Sequence, residues 1–364
     1  MRSERVMGID VSKITAMLMI CALHYVGHGG IINSEDQIIS TGGYLVKSFC
    51  IVGVNLYMLA TGYLMYTRAF KVNRVVKIWS ETLFYSVLLG VFMSIISSQW
   101  GVAQILKSFF PVMTIEYWYV TAYIILLFFI PALNQMVTAL SKKQAYGLLL
   151  LITLFFSVWK SIFPNNGLLE TGYLQGYGIV WMMCMYIFGA IMKKYPMDFL
   201  LGGGRKNVLI LVYILCTILI FISNLVCRKY GIMDNGNKIF DYNHIFILCG
   251  SVALFLFSLQ IKVKNKQVSS AISKISMHTL AVYLIQEQIK VKSVLWSAIT
   301  EWTIRDSYIS TLLVSVIVIL VFFIVCILID VLRKKIFDYL SIDELISNFI
   351  EKLAVKVKLI WRKI

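Results

Sequence analysis

YISTLLVSVIVILVFFIVCILIDVL, residues 308–332, carries one charged side chain, Asp330, in 25 positions. A helix needs about 20 mostly apolar residues to cross the hydrocarbon of a bilayer, because each backbone polar group has to be satisfied within the segment. This stretch meets that requirement, and it is not alone. Working back towards the N-terminus, comparable runs cover approximately 275–297, 241–261, 207–227, 173–192, 145–163, 117–138, 78–98, 48–66 and 11–27. The reading is an all-α integral membrane protein of about ten transmembrane helices. The run at 275–297 is the least apolar, since Gln286, Glu287, Gln288, Lys290 and Lys292 crowd its second half.

Composition excludes the soluble alternative. Of 364 residues 59% are hydrophobic and 14% charged, with mean hydropathy +0.81. Ordinary domains are about 45–50% apolar and about 25% charged, so a polar shell could not cover this chain. The seven cysteines fall in or beside apolar runs without CxxC spacing and read as small hydrophobes. The first run holds Asp10 and Lys13 at its start and lacks a small-x-small cleavage site, so it is expected to persist as a helix rather than be removed as a signal.

Charge gives an orientation. Short cytoplasmic loops are enriched in Lys and Arg. With the N-terminus inside, 24 of the 34 basic residues fall in alternate, inward-facing segments and nine in outward ones, Lys13 being within the membrane. Both termini are therefore expected in the cytoplasm of a multi-pass plasma membrane protein. The same distribution explains the net charge of +16 without nucleic acid, which would want one basic face. The domain reading is a membrane domain over 1–332 and a basic amphipathic tail over 333–364. In the tail Ile342, Leu345, Ile346, Phe349, Ile350, Leu353, Val357, Ile360 and Trp361 recur at three- and four-residue steps, as in a helix lying on an anionic inner leaflet.

Ionisable groups inside a membrane span are costly and mark function by default. Lys13 and His24 are eleven positions apart, which places them on one helical face with about 16 Å of rise between them. Asp10 lies close to the same line. A cytoplasmic cation thus shares a face with a deeper imidazole, a suitable general base for a hydroxyl attacking a thioester. The plainer alternatives are that His24 only hydrogen-bonds a neighbouring helix and that Lys13 snorkels to the interface. His24 and His28 also have the one-turn spacing of zinc ligands, but no glutamate follows His24 and Gly29-Gly30 ends the segment, so no metal is expected. Arg68, Lys71, Arg74 and Lys77 form a dense cationic loop, open to a topological or a phosphate-binding reading. Glu81 and Glu116 sit near span ends, where interface solvation suits them, and Glu287 lies deeper; each could orient a base or pair with a cation.

Residues 9–24, IDVSKITAMLMICALH, resemble the first helix of the membrane acyltransferase-3 family, with its basic residue, ten intervening positions and histidine. Four further segments resemble that family in order: GVNLYMLATGYL (53–64), YWYVTAYIILLFFIPALN (117–134), QGYGIVWMMCMYIFGA (175–190) and ISMHTLAVYLIQE (275–287). The resemblance implies an enzyme that moves an acyl group, most often acetyl from acetyl-CoA, to a hydroxyl of a cell-surface glycan or its lipid-linked precursor. It implies His24 as catalytic base, Lys13 as the donor-facing cation, and Arg68, Arg74 and Lys77 as contacts for the phosphates of CoA. Trp118 or Tyr119 would pack on the acceptor sugar or the pantetheine arm, with Asp10, Glu116, Gln286 and Glu287 in support. Lys13 stands where many members have arginine, giving a point charge in place of a fork. Gln286 stands where a histidine is common, and an amide cannot carry a proton through a cycle. Two other classes compete with the enzyme: a flippase for a lipid-linked glycan, for which no repeated halves with broken helices are visible, and a catalytically silent membrane partner.

Overall fold

The computed structural model describes residues 5–96, 102–164, 176–197, 205–304, 308–349 and 352. Among them there are helices and turns and no strand. The helices are α1 (Met7–His28), α2 (Gln37–Cys50), α3 (Gly53–Met65), α4 (Val72–Ile96), a short α5 (Val102–Ser108), α6 (Trp118–Ala139), α7 (Lys142–Ile162), α8 (Ile179–Lys194), α9 (Lys206–Tyr230), α10 (Ile245–Leu259), α11 (Lys266–Met277), α12 (Thr279–Glu287), α13 (Val291–Thr303) and α14 (Tyr308–Tyr339). Among the described residues nine helices, counting α2–α3 and α11–α12 as continuous crossings, are long and apolar enough to span a membrane.

Two expected spans differ in form. The stretch at 173–192 is represented by α8, 16 residues long, with 173–175 outside the described residues. Trp181, Met182, Met185, Tyr186, Ile191 and Met192 of α8 are all buried, as expected of a helix apolar on every side and wrapped by protein. The run at 275–297 is not one helix. The crossing begins earlier, at Lys266, and stops at Glu287. Gln288 turns the chain there: its Oε1 accepts from the backbone N–H of Lys290 and Val291, at 3.0 Å each, and starts α13. The polar residues that made this run the weakest are spent on a turn and on side-chain pairs.

The helix first singled out faces outward. On α14 Leu313, Ile317, Val321, Ile324, Leu328 and Leu332 are more than half exposed, at steps of three and four that trace one lipid-facing stripe. Its other side buries Ile319, Phe323, Cys326, Ile327 and Asp330. The helix runs on to Tyr339; a short helix follows at 342–349, with Leu345 and Phe349 exposed and Asp343 accepting from Ser80 Oγ at 2.8 Å. The remainder of the expected interfacial tail, from Ile350 onward, lies outside the described residues except for Lys352.

At the centre stands α1, which packs against α2, α3, α10, α11, α12, α13 and α14. The closest helix pairing elsewhere is α3 with α8. A Cβ on Gly62 would stand 2.0 Å from the Tyr186 carbonyl oxygen and one on Gly189 2.2 Å from that of Leu59, so the two backbones meet where only glycine fits.

Candidate active site

Between α1, α3, α6 and α12 lies a cavity of about 510 Å³. The face of α1 read from the sequence opens onto it: Lys13, Met17, Ile20, His24, Gly27 and His28 all contribute, the two helical rows i, i+4 and i, i+7 giving one continuous wall. Opposite stand Tyr57, Thr61, Trp118, Tyr119, Tyr123 and Tyr283, with Tyr177 and Tyr242 closing a side. Trp118 and Tyr242 are stacked at 6.1 Å between ring centroids, and Tyr177 lies 4.6 Å from Tyr242. Such a panel offers flat apolar faces edged by hydroxyl groups.

The Lys13 end is tied to the break in the α11–α12 crossing. Lys13 Nζ donates to the Ser276 carbonyl at 3.1 Å, and Tyr57 donates from its hydroxyl to the Lys13 carbonyl at 2.9 Å. An ammonium has three donors, so Lys13 keeps capacity for a ligand. Arg68, just past the end of α3, reaches the same cavity from an exposed position. Asp10 faces away: it accepts from Arg5 Nε at 2.6 Å and from Ser276 Oγ at 2.7 Å, fastening the start of α1 to α11.

The far end is built from α1 and the last turn of α12. His24 Nε2 and His28 Nε2 each lie 3.4 Å from the same atom, Glu287 Oε2, while Lys292 donates from Nζ to Glu287 Oε1 at 3.1 Å. Glu287 is 8% exposed, yet its Oε2 has no hydrogen bond of good geometry. His24 Nδ1 is buried without a partner, which leaves the Nε2 edge of the ring for Glu287 and the cavity. Trp296 meets the His24 ring edge-on at 6.4 Å. The chain brings an imidazole, a carboxylate that can offset an imidazolium, and an aromatic wall into one place.

Of the residues proposed from sequence, Lys13, His24, Arg68, Trp118, Tyr119 and Glu287 line this cavity. Gln286 is fully buried behind it, its amide nitrogen 3.7 Å from Met17 Sδ. Glu116 lies outside the lining, accepting from Ser86 Oγ at 2.6 Å and from Gln288 Nε2 at 3.1 Å; burial pushes its carboxyl pKa up and these two hydrogen bonds oppose the shift. Arg74 and Lys77 are also outside the lining. Residues the sequence did not single out include Lys47, whose Nζ sits 4.2 Å from the Phe240 ring centroid, and the tyrosines at 57, 177, 242 and 283. The carboxylate that His28 shares with His24 comes from a helix distant in sequence.

A second ionic cluster is sealed elsewhere in the protein. His278 Nδ1 lies 2.6 Å from Asp330 Oδ2, Tyr85 donates to Asp330 Oδ1 at 2.9 Å, Arg333 bonds the same carboxylate, and Arg333 reaches Glu81 at 3.5 Å. It joins α4 and α14 to the residue between α11 and α12.

The family model for the acyltransferase domain of the acyltransferase 3 family matches residues 7–331. The chain belongs to that family. No curated protein and no solved structure matches it. As an acyltransferase 3 protein it is a multi-pass membrane acyltransferase, and the match covers α1 with both ends of its cavity face and Glu287 on α12.

Proposed function

We propose that this acyltransferase moves an acyl group, acetyl in the first instance, from acyl-CoA to a hydroxyl of a cell-surface polysaccharide or its lipid-linked precursor, in the plasma membrane. The observation that carries the reading is a single cavity with Lys13 and Arg68 at one end and His24 at the other, about 16 Å apart along α1. An extended pantetheine arm suits a passage of that length. CoA enters from the cytoplasm, the side to which the distribution of Lys and Arg assigns both chain termini, and its phosphates rest on Lys13 and Arg68, with Arg74 and Lys77 adding positive field in the loop that leads there.

The thioester is then presented at His24. The acceptor hydroxyl gives its proton to His24 Nε2 as its oxygen attacks the acyl carbonyl carbon, and Glu287 offsets the charge of the imidazolium. The tetrahedral intermediate collapses with loss of the CoA thiolate, which takes the proton back from the imidazolium. Trp118, Tyr119 and Tyr242 provide the faces on which a sugar ring packs. The roles of Asp10 and Glu116 are to hold α1 and the α12–α13 turn in position.

The test is the ester-linked acyl content of the host's surface polysaccharide, by mass spectrometry with and without mild base, in wild-type, deletion and His24→Ala strains. A base-labile acetyl group lost from both altered strains is the expected result. An unchanged pattern in the deletion strain overturns the polysaccharide acceptor, and a normal pattern with His24→Ala removes His24 as the base.

A further inference from the structure

No glutamate follows His24 in the HxxxH pair, yet the fold supplies one from α12. We propose that His24, His28 and Glu287 form a binding site for a first-row divalent ion of the zinc type, and that occupancy silences acyl transfer by taking the Nε2 lone pair of His24. The inhibitory half rests on the reading of His24 as base; the binding half does not.

The geometry is specific. Ligand atoms held about 2.0–2.1 Å from a tetrahedral zinc stand about 3.3–3.4 Å from one another. Both Nε2 atoms lie 3.4 Å from Glu287 Oε2, and all three ligating atoms lie within 4.8 Å of one another. The remaining His24–His28 side closes by rotation about the His28 side chain, which is 36% exposed. Glu287 Oε2 is the independent pointer: nine-tenths of its side chain is buried, the atom accepts no well-formed hydrogen bond, and it is aimed between the two imidazoles. Two histidines one turn apart on a helix, with a carboxylate from elsewhere and a fourth position open to the cavity, make a His₂Glu donor set of the kind zinc takes when it keeps an exchangeable ligand. Lys292, on the other oxygen of Glu287, is the cation a bound metal has to oppose.

The experiment uses the full-length chain, purified in detergent or nanodiscs, titrated with Co²⁺ as spectroscopic probe and with Zn²⁺ in competition. Saturable one-to-one binding with the visible d–d bands of a four- or five-coordinate ion is expected. Losing one ligand in His28→Asn should weaken it by on the order of 10–100-fold or more, the range already seen for outer-shell partners of metal ligands. Lys292→Ala, which removes a nearby positive charge and no ligand, should tighten it several-fold and guards against a variant that merely misfolds. Acyl transfer by the wild type should fall in proportion to occupancy and return with chelator. Absence of saturable Co²⁺ binding, or equal affinity in His28→Asn, overturns the site. Saturable binding that leaves transfer untouched overturns the inhibitory half and counts against His24 as the base, so the two failures are read separately.

Discussion

Two histidine–carboxylate pairs lie in this membrane domain, and they are built in opposite ways. His278 and Asp330 are 2.6 Å apart, and the other Asp330 oxygen is taken by Tyr85 and Arg333. His24 and Glu287 are 3.4 Å apart, with His24 Nδ1 and Glu287 Oε2 unsatisfied and a cavity alongside. Leaving a buried polar group without a partner costs about 1–3 kcal/mol, a cost that the second pair carries on both residues and the first on neither. The first pair is finished and holds helices together; the second is left open beside the cavity.

The comparison breaks most visibly at His24. Replacement by alanine should lower acyl transfer by about 10²–10⁴-fold, the range of general base catalysis, while the unfolding temperature of the solubilised protein stays close to wild type. Asp330→Ala should show the reverse. Stripping a buried carboxylate from Arg333, His278 and Tyr85 should cost about 3–5 kcal/mol of stability, measured by thermal unfolding in detergent, with activity per folded molecule retained. A catalytic loss in Asp330→Ala without destabilisation would erase the distinction. Lys13→Met sharpens the description of the open region by testing its far end: removal of a charged donor should raise the KM for acyl-CoA about tenfold, with kcat little changed. A fall in kcat alone would move Lys13 from donor binding to the reaction. The smallest effect belongs to Tyr85→Phe, which deletes one hydroxyl from the closed cluster and should cost about 1 kcal/mol with no change in either kinetic constant.

What the sequence made legible follows from range. Spans were readable because crossing hydrocarbon is a requirement on local composition, and the Lys13–His24 face because helical periodicity fixes which residues of one helix point together. The turn at Gln288 was foreshadowed only as weakness, since polar residues late in a run do not announce that one will cap the next helix. Lys47 and Tyr242 reach the cavity from α2 and from just ahead of α10, a juxtaposition set by packing between distant helices that no local pattern records. The loop containing Arg68, Arg74 and Lys77 illustrates the converse: topology alone demands cations there, so density could not tell which one reaches the site, and the fold turns Arg68 to it.

The central position of α1 also constrains how the protein is made. Chains emerge N-terminus first, so the helix carrying Asp10, Lys13 and His24 enters the bilayer long before α10 to α14, against which it finally packs. Until then, of the helices it packs against, α2 and α3 alone have been made, and Asp10 has Arg5 but lacks Ser276. Biogenesis must therefore shelter a charged first helix until the last third of the polypeptide arrives, which makes the C-terminal helices as necessary for retaining α1 as for forming the cavity it faces.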